Sequence, residues 1–198
     1  MIYTSKSYAK VNLTLDVLAK RADGYHDLQM ILQTVSLFDE VTITTDTENT
    51  GITISSNLEY FPKGETNAAH KAAAAFFKHS GIPVPNINID IKKNIPIAAG
   101  LAGGSSNAAC VINLLNEIFK AGYSNNILCE IGLKAGADVP FCILGGTYLA
   151  EGVGEILTRL TPMPDGRFAG DFPYFMQPWL HAFYEIPDSV EIHYPPDW

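Results

Sequence analysis

The sequence predicts an α+β fold with a β-rich start and helices packed on one face of a single sheet. Three observations carry this prediction. Apolar residues alternate partly over 7–17 and at period two at Val41 and Ile43 and at Ile52 and Ile54. An alanine-rich segment at 68–81 then has helical composition. A glycine-rich stretch, "AAGLAGGSSNAA" at 98–109, finally stands between an alternating segment and one with helical spacing.

The elements follow in order. "SYAKVNLTLDV" (7–17) reads as a strand, and "RADGYHDL" (21–28) interrupts it with Asp-Gly turn chemistry. "LQTVSLFDEVTITT" and "GITISS" supply two further strands. Gly81 is placed to end the helix that begins near Ala68. "INIDIKKNIP" sets Ile87, Ile89 and Ile91 on one strand face. A helix is expected from Ser105 or Ser106, with a serine as cap, to Gly122. Another is expected over 125–136, followed by a short apolar strand and a hairpin around Gly145-Gly146.

Near Thr161 the composition changes. The last 38 residues hold seven of the 12 prolines and nine of the 21 aromatic residues. The expected organisation is one domain over 1–160 and an irregular aromatic, proline-rich tail over 161–198 whose role the sequence does not give.

Composition narrows the function. With 47% hydrophobic and 17% charged residues among 198, the chain is globular. A net charge of -8 argues against a nucleic-acid or anionic-lipid partner. Cys110, Cys129 and Cys142 lack metal or redox spacing and read as reduced, buried thiols. No leader pattern opens the chain and no apolar run suits a membrane, so a cytoplasmic location is expected.

The glycine stretch carries the chemistry. Glycine lets a ligand approach backbone amides without meeting a Cβ, and a helix N-terminus adds unsatisfied N–H groups and a positive dipole end. Their sum favours a phosphate, although a tight strand-to-helix turn is the plainer alternative. The stretch has neither the P-loop ending nor the dinucleotide glycine order. Lys10 and Asn12, two apart on a strand, share a face; Asp138 sits among small and apolar residues where an acid needs a partner.

Taken together, "AKVNLTLDVLAKRADGYHDLQMILQTVSLFDEVTI", "IPIAAGLAGGSSNAA" and "GADVPFCILGGTYLAEGVGEIL" resemble three ordered motifs of the GHMP kinases. The resemblance runs through most of residues 1–160 and implies the N-terminal lobe fold of that family, of the ribosomal protein S5 domain 2-like type. No counterpart of the family's second lobe is read after Leu160. The resemblance implies ATP-dependent phosphorylation of the 2-hydroxyl of a cytidine-diphosphate-linked methylerythritol, in isoprenoid synthesis by the non-mevalonate route.

Carried over by position, Lys10 and Asp138 would be catalytic. Ala98, Ala99, Gly100, Leu101, Ala102, Gly103, Gly104, Ser105, Ser106 and Asn107 would cradle the ATP phosphates, with Asn67 and Lys93 or Asn94 near the adenosine. Asn12, Tyr25 and His26 would hold the substrate. Magnesium is expected with ATP, but the sequence shows no ligand set for it. Open alternatives are a nucleotide- or substrate-binding remnant without turnover, or an interaction module; a homodimer is one open arrangement.

Overall fold

A computed structural model describes residues 2–46, 50–163, 166–168 and 190–192. Its first two strands, β1 (Ile2–Lys20) and β2 (His26–Asp46), form one long antiparallel hairpin. The sequence expectation placed a shorter strand at 7–17 and began the second at Leu32; backbone pairing extends both to the Arg21–Tyr25 turn. The other edge of β2 carries two partners. Its 40–46 segment pairs with β4 (Asn86–Lys92), and its 28–33 segment pairs with β5 (Thr147–Gly152). β3 (Gly51–Ser56) lies parallel to β4, and β6 (Ile156–Arg159) completes the six-stranded sheet beside β5.

Four helices cover one face. α1 (Ala68–Ser80) begins at Asn67, whose side chain accepts the Ala69 N–H, and ends at Gly81 in the left-handed conformation. Its buried Ala72, Ala73 and Phe76 pack with Ala108, Val111, Ile112 and Leu115 of α2 (Gly103–Ile118). The sheet contributes Val41, Ile43, Ile54, Ile87, Ile89 and Ile91 to the same core. Each large aliphatic side chain buried there stabilises the fold by about 1.5–3 kcal/mol. The opposite face of the sheet carries polar pairs such as Thr4–Thr42, Ser55–Asp90 and Asn86–Asp46, so the helices sit on one side only.

Four local expectations are corrected. α2 starts at Gly103 rather than at a serine, because Ala102 takes the cap position with φ 56; it ends at Ile118, before Gly122. α3 (Asn125–Leu133) stops short of Gly136. The apolar run "VPFCIL" is the helix α4 (Val139–Leu144) instead of a strand, with Pro140 in its first turn. The hairpin that follows turns at Gly152–Glu155 rather than at Gly145-Gly146.

Within the tail, β7 (Gly166–Phe168) and β8 (Val190–Ile192) pair antiparallel. The remaining tail expectation lies outside the described residues. Among those described, no helix is long and apolar enough to cross a membrane.

Candidate active site

The site begins with an irregularity in the β1–β2 ladder. Pairing jumps from Tyr8↔Phe38 to Lys10↔Thr34, so Val35–Leu37 of β2 stand opposite Ala9 alone and the extra residues bulge from β2. The Lys10 backbone N–H therefore leaves the ladder and donates to the Leu101 carbonyl at 3.1 Å. That bond fastens the lysine to the glycine-rich turn. The Lys10 ammonium donates to Asn12 Oδ1 at 2.8 Å and lies 3.7 Å from Asp138 Oδ2. The shared strand face expected for Lys10 and Asn12 is thus present.

Asp138 stands at the cap position of α4, and its carbonyl accepts the Cys142 N–H at 3.1 Å. Lys10 is 8% exposed and Asp138 36%, so the pair sits at a cavity mouth, buried on the cationic side and open on the anionic one. Gly136, two residues earlier, packs beside Ser105: a Cβ there would stand 3.7 Å from the Ser105 hydroxyl. The acid and the turn are neighbours.

The turn itself runs from Pro96 to Ser105. Ala98 and Ala102 both hold left-handed backbone, with φ 59 and 56, at a cost of about 1–2 kcal/mol each for a residue with a Cβ. The helix cap has no side-chain oxygen, and Ser106 makes the first helical bond, to Ala102 O at 2.8 Å. Among the described residues nothing accepts from the Gly103, Gly104 and Ser105 amides. A cavity of about 470 Å³ opens there, lined by Lys10, Asp138, residues 96–105 and, across from them, Phe61, Pro62, Thr66, Asn67 and Ala68.

Other expected site residues take different places. Ser106 and Asn107 are buried behind the turn; the Ser106 hydroxyl donates to Gly103 O at 3.0 Å, and Asn107 bonds to Ser7 and Asp39. Asn67 lines the cavity but commits both side-chain atoms to the chain, accepting from Ala69 N at 2.8 Å and donating to Pro62 O at 2.6 Å. Lys93 also lines it, with an ammonium bound to Asp39 and, at 3.3 Å, to Asn107. Burial pushes that ammonium below the ordinary lysine value, and Asp39 opposes the shift. Asn94 is exposed and donates to Phe38 O at 3.0 Å.

Tyr25 and His26 are apart from the cavity, at the exposed tip of the β1–β2 hairpin. Arg21 organises that tip through Asp23 at 3.1 Å and Asp27 at 2.9 Å. The cysteines are unpaired, and burial raises all three thiols, Cys110 to about 12 and Cys129 to about 11. Sequence reasoning missed Asp39, whose partners lie more than 50 residues away, and Phe61, Pro62 and Thr66, which carry no motif.

Comparison with known proteins bears on the whole arrangement. Residues 67–146 match the GHMP kinases N terminal domain. A 4-diphosphocytidyl-2-C-methyl-D-erythritol kinase from Clostridium perfringens is 52% identical over 157 residues, covering 79% of this chain and 54% of that protein. One from Lachnoclostridium phytofermentans is 48% identical over 164 residues, covering 83% and 56%. The chain spans about half the length of the curated relatives it matches. A crystal structure of 4-(cytidine 5'-diphospho)-2C-methyl-D-erythritol kinase superimposes with TM-score 0.70 at 34% identity, over 83% of this chain and 57% of that one. Homoserine kinase from Cytophaga hutchinsonii shares the fold, with TM-score 0.62 at 19% identity and 83% and 53% covered. With the lysine, the acid and the amide-lined turn in one cavity on this fold, the chain belongs to the GHMP kinases through their N-terminal domain.

Proposed function

We propose that the protein is an ATP-dependent small-molecule kinase that phosphorylates the 2-hydroxyl of 4-diphosphocytidyl-2-C-methyl-D-erythritol, the substrate named for its relatives. The observation that carries this reading is the shared cavity: uncapped amides at Gly103–Ser105 and the Lys10–Asp138 pair line the same space. The amides and the dipole of α2 favour the ATP phosphates. Asp138 accepts the proton of the substrate hydroxyl as its oxygen bonds to the γ-phosphorus and the bridge to the β-phosphate breaks, releasing ADP. Lys10, steadied by Asn12, orients the carboxylate and balances charge on the substrate oxygen.

Ala98–Ser105 form the phosphate cradle, backed by Ser106 and Asn107. Asn67 and Lys93 shape the adenosine side as wall residues, since their polar atoms are taken by the chain. Tyr25 and His26 hold the cytidine end, where an exposed ring offers a stacking face and an imidazole a hydrogen bond. The cavity also suits magnesium brought in by ATP. Apart from Asn67 Oδ1, which caps α1, its side-chain oxygens are Thr66, Ser105 and Asp138, too few for a protein cage but adequate for a hard cation held mainly by phosphates. Among the described residues no group of three His, Cys, Asp or Glu side chains could hold a metal by itself. Bound there, the metal would spread the negative charge of the reacting phosphates.

The test is release of ADP from ATP and magnesium, with and without the cytidyl substrate. Substrate-dependent release supports the reading. Its absence, with ATP leaving the thermal midpoint unchanged, overturns it.

A further inference from the structure

Asp39 is fully buried in β2, and its two oxygens take four bonds. Oδ1 accepts the backbone N–H groups of Asn94 and Ile95, both at 2.7 Å. Oδ2 accepts Asn107 Nδ2 at 2.8 Å and the Lys93 ammonium. Asn107 Nδ2 also donates to Ser7 Oγ at 3.0 Å. One carboxylate therefore joins β1, β2, the chain just before the glycine-rich turn, and the helix just after it. No buried side-chain polar atom among the described residues lacks a partner, so the network is closed.

Its contact with the turn is direct. A Cβ on Gly103 would stand 2.9 Å from the Lys93 ammonium and 3.0 Å from Ile95 Cγ2, so the first residue of α2 rests on the group that Asp39 holds. A buried ion pair recovers little net stability after desolvation, and its best-attested use is to specify geometry. Here both feet of the turn stand on the same carboxylate.

We infer that Asp39 is a positioning residue for the nucleotide, fixing the Gly103–Ser105 amides through Lys93 and Asn107 before phosphate binds. This rests on the kinase reading above. Asp39→Asn is a selective probe: its amide oxygen can still serve Asn94 and Ile95, while its NH₂ group then faces two donors. Asn107→Ala removes the helix-side link without burying an unpaired charge and serves should the first variant fail to fold.

Two measurements on the full chain decide the matter. Hydrogen exchange without ligand should accelerate at least tenfold at the amides of residues 106–109 in either variant, with α1 unchanged. In the kinase assay, KM for ATP should rise at least tenfold in Asp39→Asn and at least threefold in Asn107→Ala, with kcat within threefold of the parent. A purely structural role would lower the folded fraction, and so kcat, with KM unmoved. Parent-like KM in a folded variant overturns the inference, as does acceleration of exchange spread evenly over the chain. A parent chain that neither binds ATP nor releases ADP instead overturns the kinase reading, and nucleotide positioning falls with it whatever the exchange pattern.

Discussion

Asp138→Asn separates chemistry from stability, because the geometry assigns the two very different magnitudes. Unit charges about 4 Å apart attract by about 4 kcal/mol at the effective dielectric of a protein surface. Asp138 is 36% exposed, however, and Lys10 keeps Asn12 at 2.8 Å after the change. Solvent screening and that retained bond reduce the net loss to under about 1 kcal/mol. For a domain of this size the thermal midpoint should fall by less than about 4 °C. Substrate-dependent ADP release should fall by about 10²–10⁴, the usual contribution of a positioned proton acceptor. A coupled ADP assay and a thermal melt on the same preparations measure both. More than a tenth of the parent rate in the variant refutes the catalytic assignment. A stability loss above about 3 kcal/mol would refute it differently, by showing that the acid holds the fold.

Three further outcomes follow from local structure. Asn67→Ala removes the α1 cap and the bond to Pro62, so urea unfolding should show a loss of about 1–2 kcal/mol; a parent-like stability with weakened ATP binding would mean a direct nucleotide contact instead. At Ala102, φ 56, glycine should be tolerated within about 0.5 kcal/mol while valine costs about 1–2 kcal/mol, again by urea midpoint. Burial raises the Cys110 thiol from the ordinary 9.0 to about 12, so its contribution is intact below pH 9 and is lost as pH rises toward 12. Between pH 8 and 10.5 the parent should therefore lose about 2 kcal/mol more than Cys110→Ala, and equal losses would contradict the burial argument.

Periodicity made the sheet readable. Ile87, Ile89 and Ile91 alternate with polar residues, and all three are fully buried in β4. The α1 boundaries were equally plain, because Asn67 and Gly81 satisfy the backbone groups at its ends. Where two signals competed, the sequence misled. "VPFCIL" is apolar, short and rich in β-branched residues, so strand and helix fit it alike until Asp138 O and Phe141 O accept their helical bonds. The serines drew the start of α2 too late, since the cap is made by backbone strain at Ala102 rather than by a hydroxyl. Lys10, Asp138 and the turn were singled out by residue type and motif, and they line one cavity. Asp39 was not, because its meaning lies wholly in partners distant along the chain.

The charge pattern explains why the turn is built from so few side chains. In a protein of net charge -8, a cluster of free lysines would be the obvious way to attract phosphate. Yet both lysines on the cavity wall face carboxylates, Lys10 with Asp138 and Lys93 with Asp39, and so contribute almost no net charge. On the proposed function the attraction comes from oriented dipoles: the free amides of Gly103–Ser105 and the end of α2. Dipoles act only at the right distance and angle, which makes their anchoring as important as their presence. Lys10 supplies one anchor through its backbone bond to Leu101, and Asp39 supplies the other through Lys93 and Asn107. The register shift opposite Ala9 thus lets the lysine beside Asp138 also clamp the glycine-rich turn through its own backbone N–H, so one residue ties together the two halves of the proposed site.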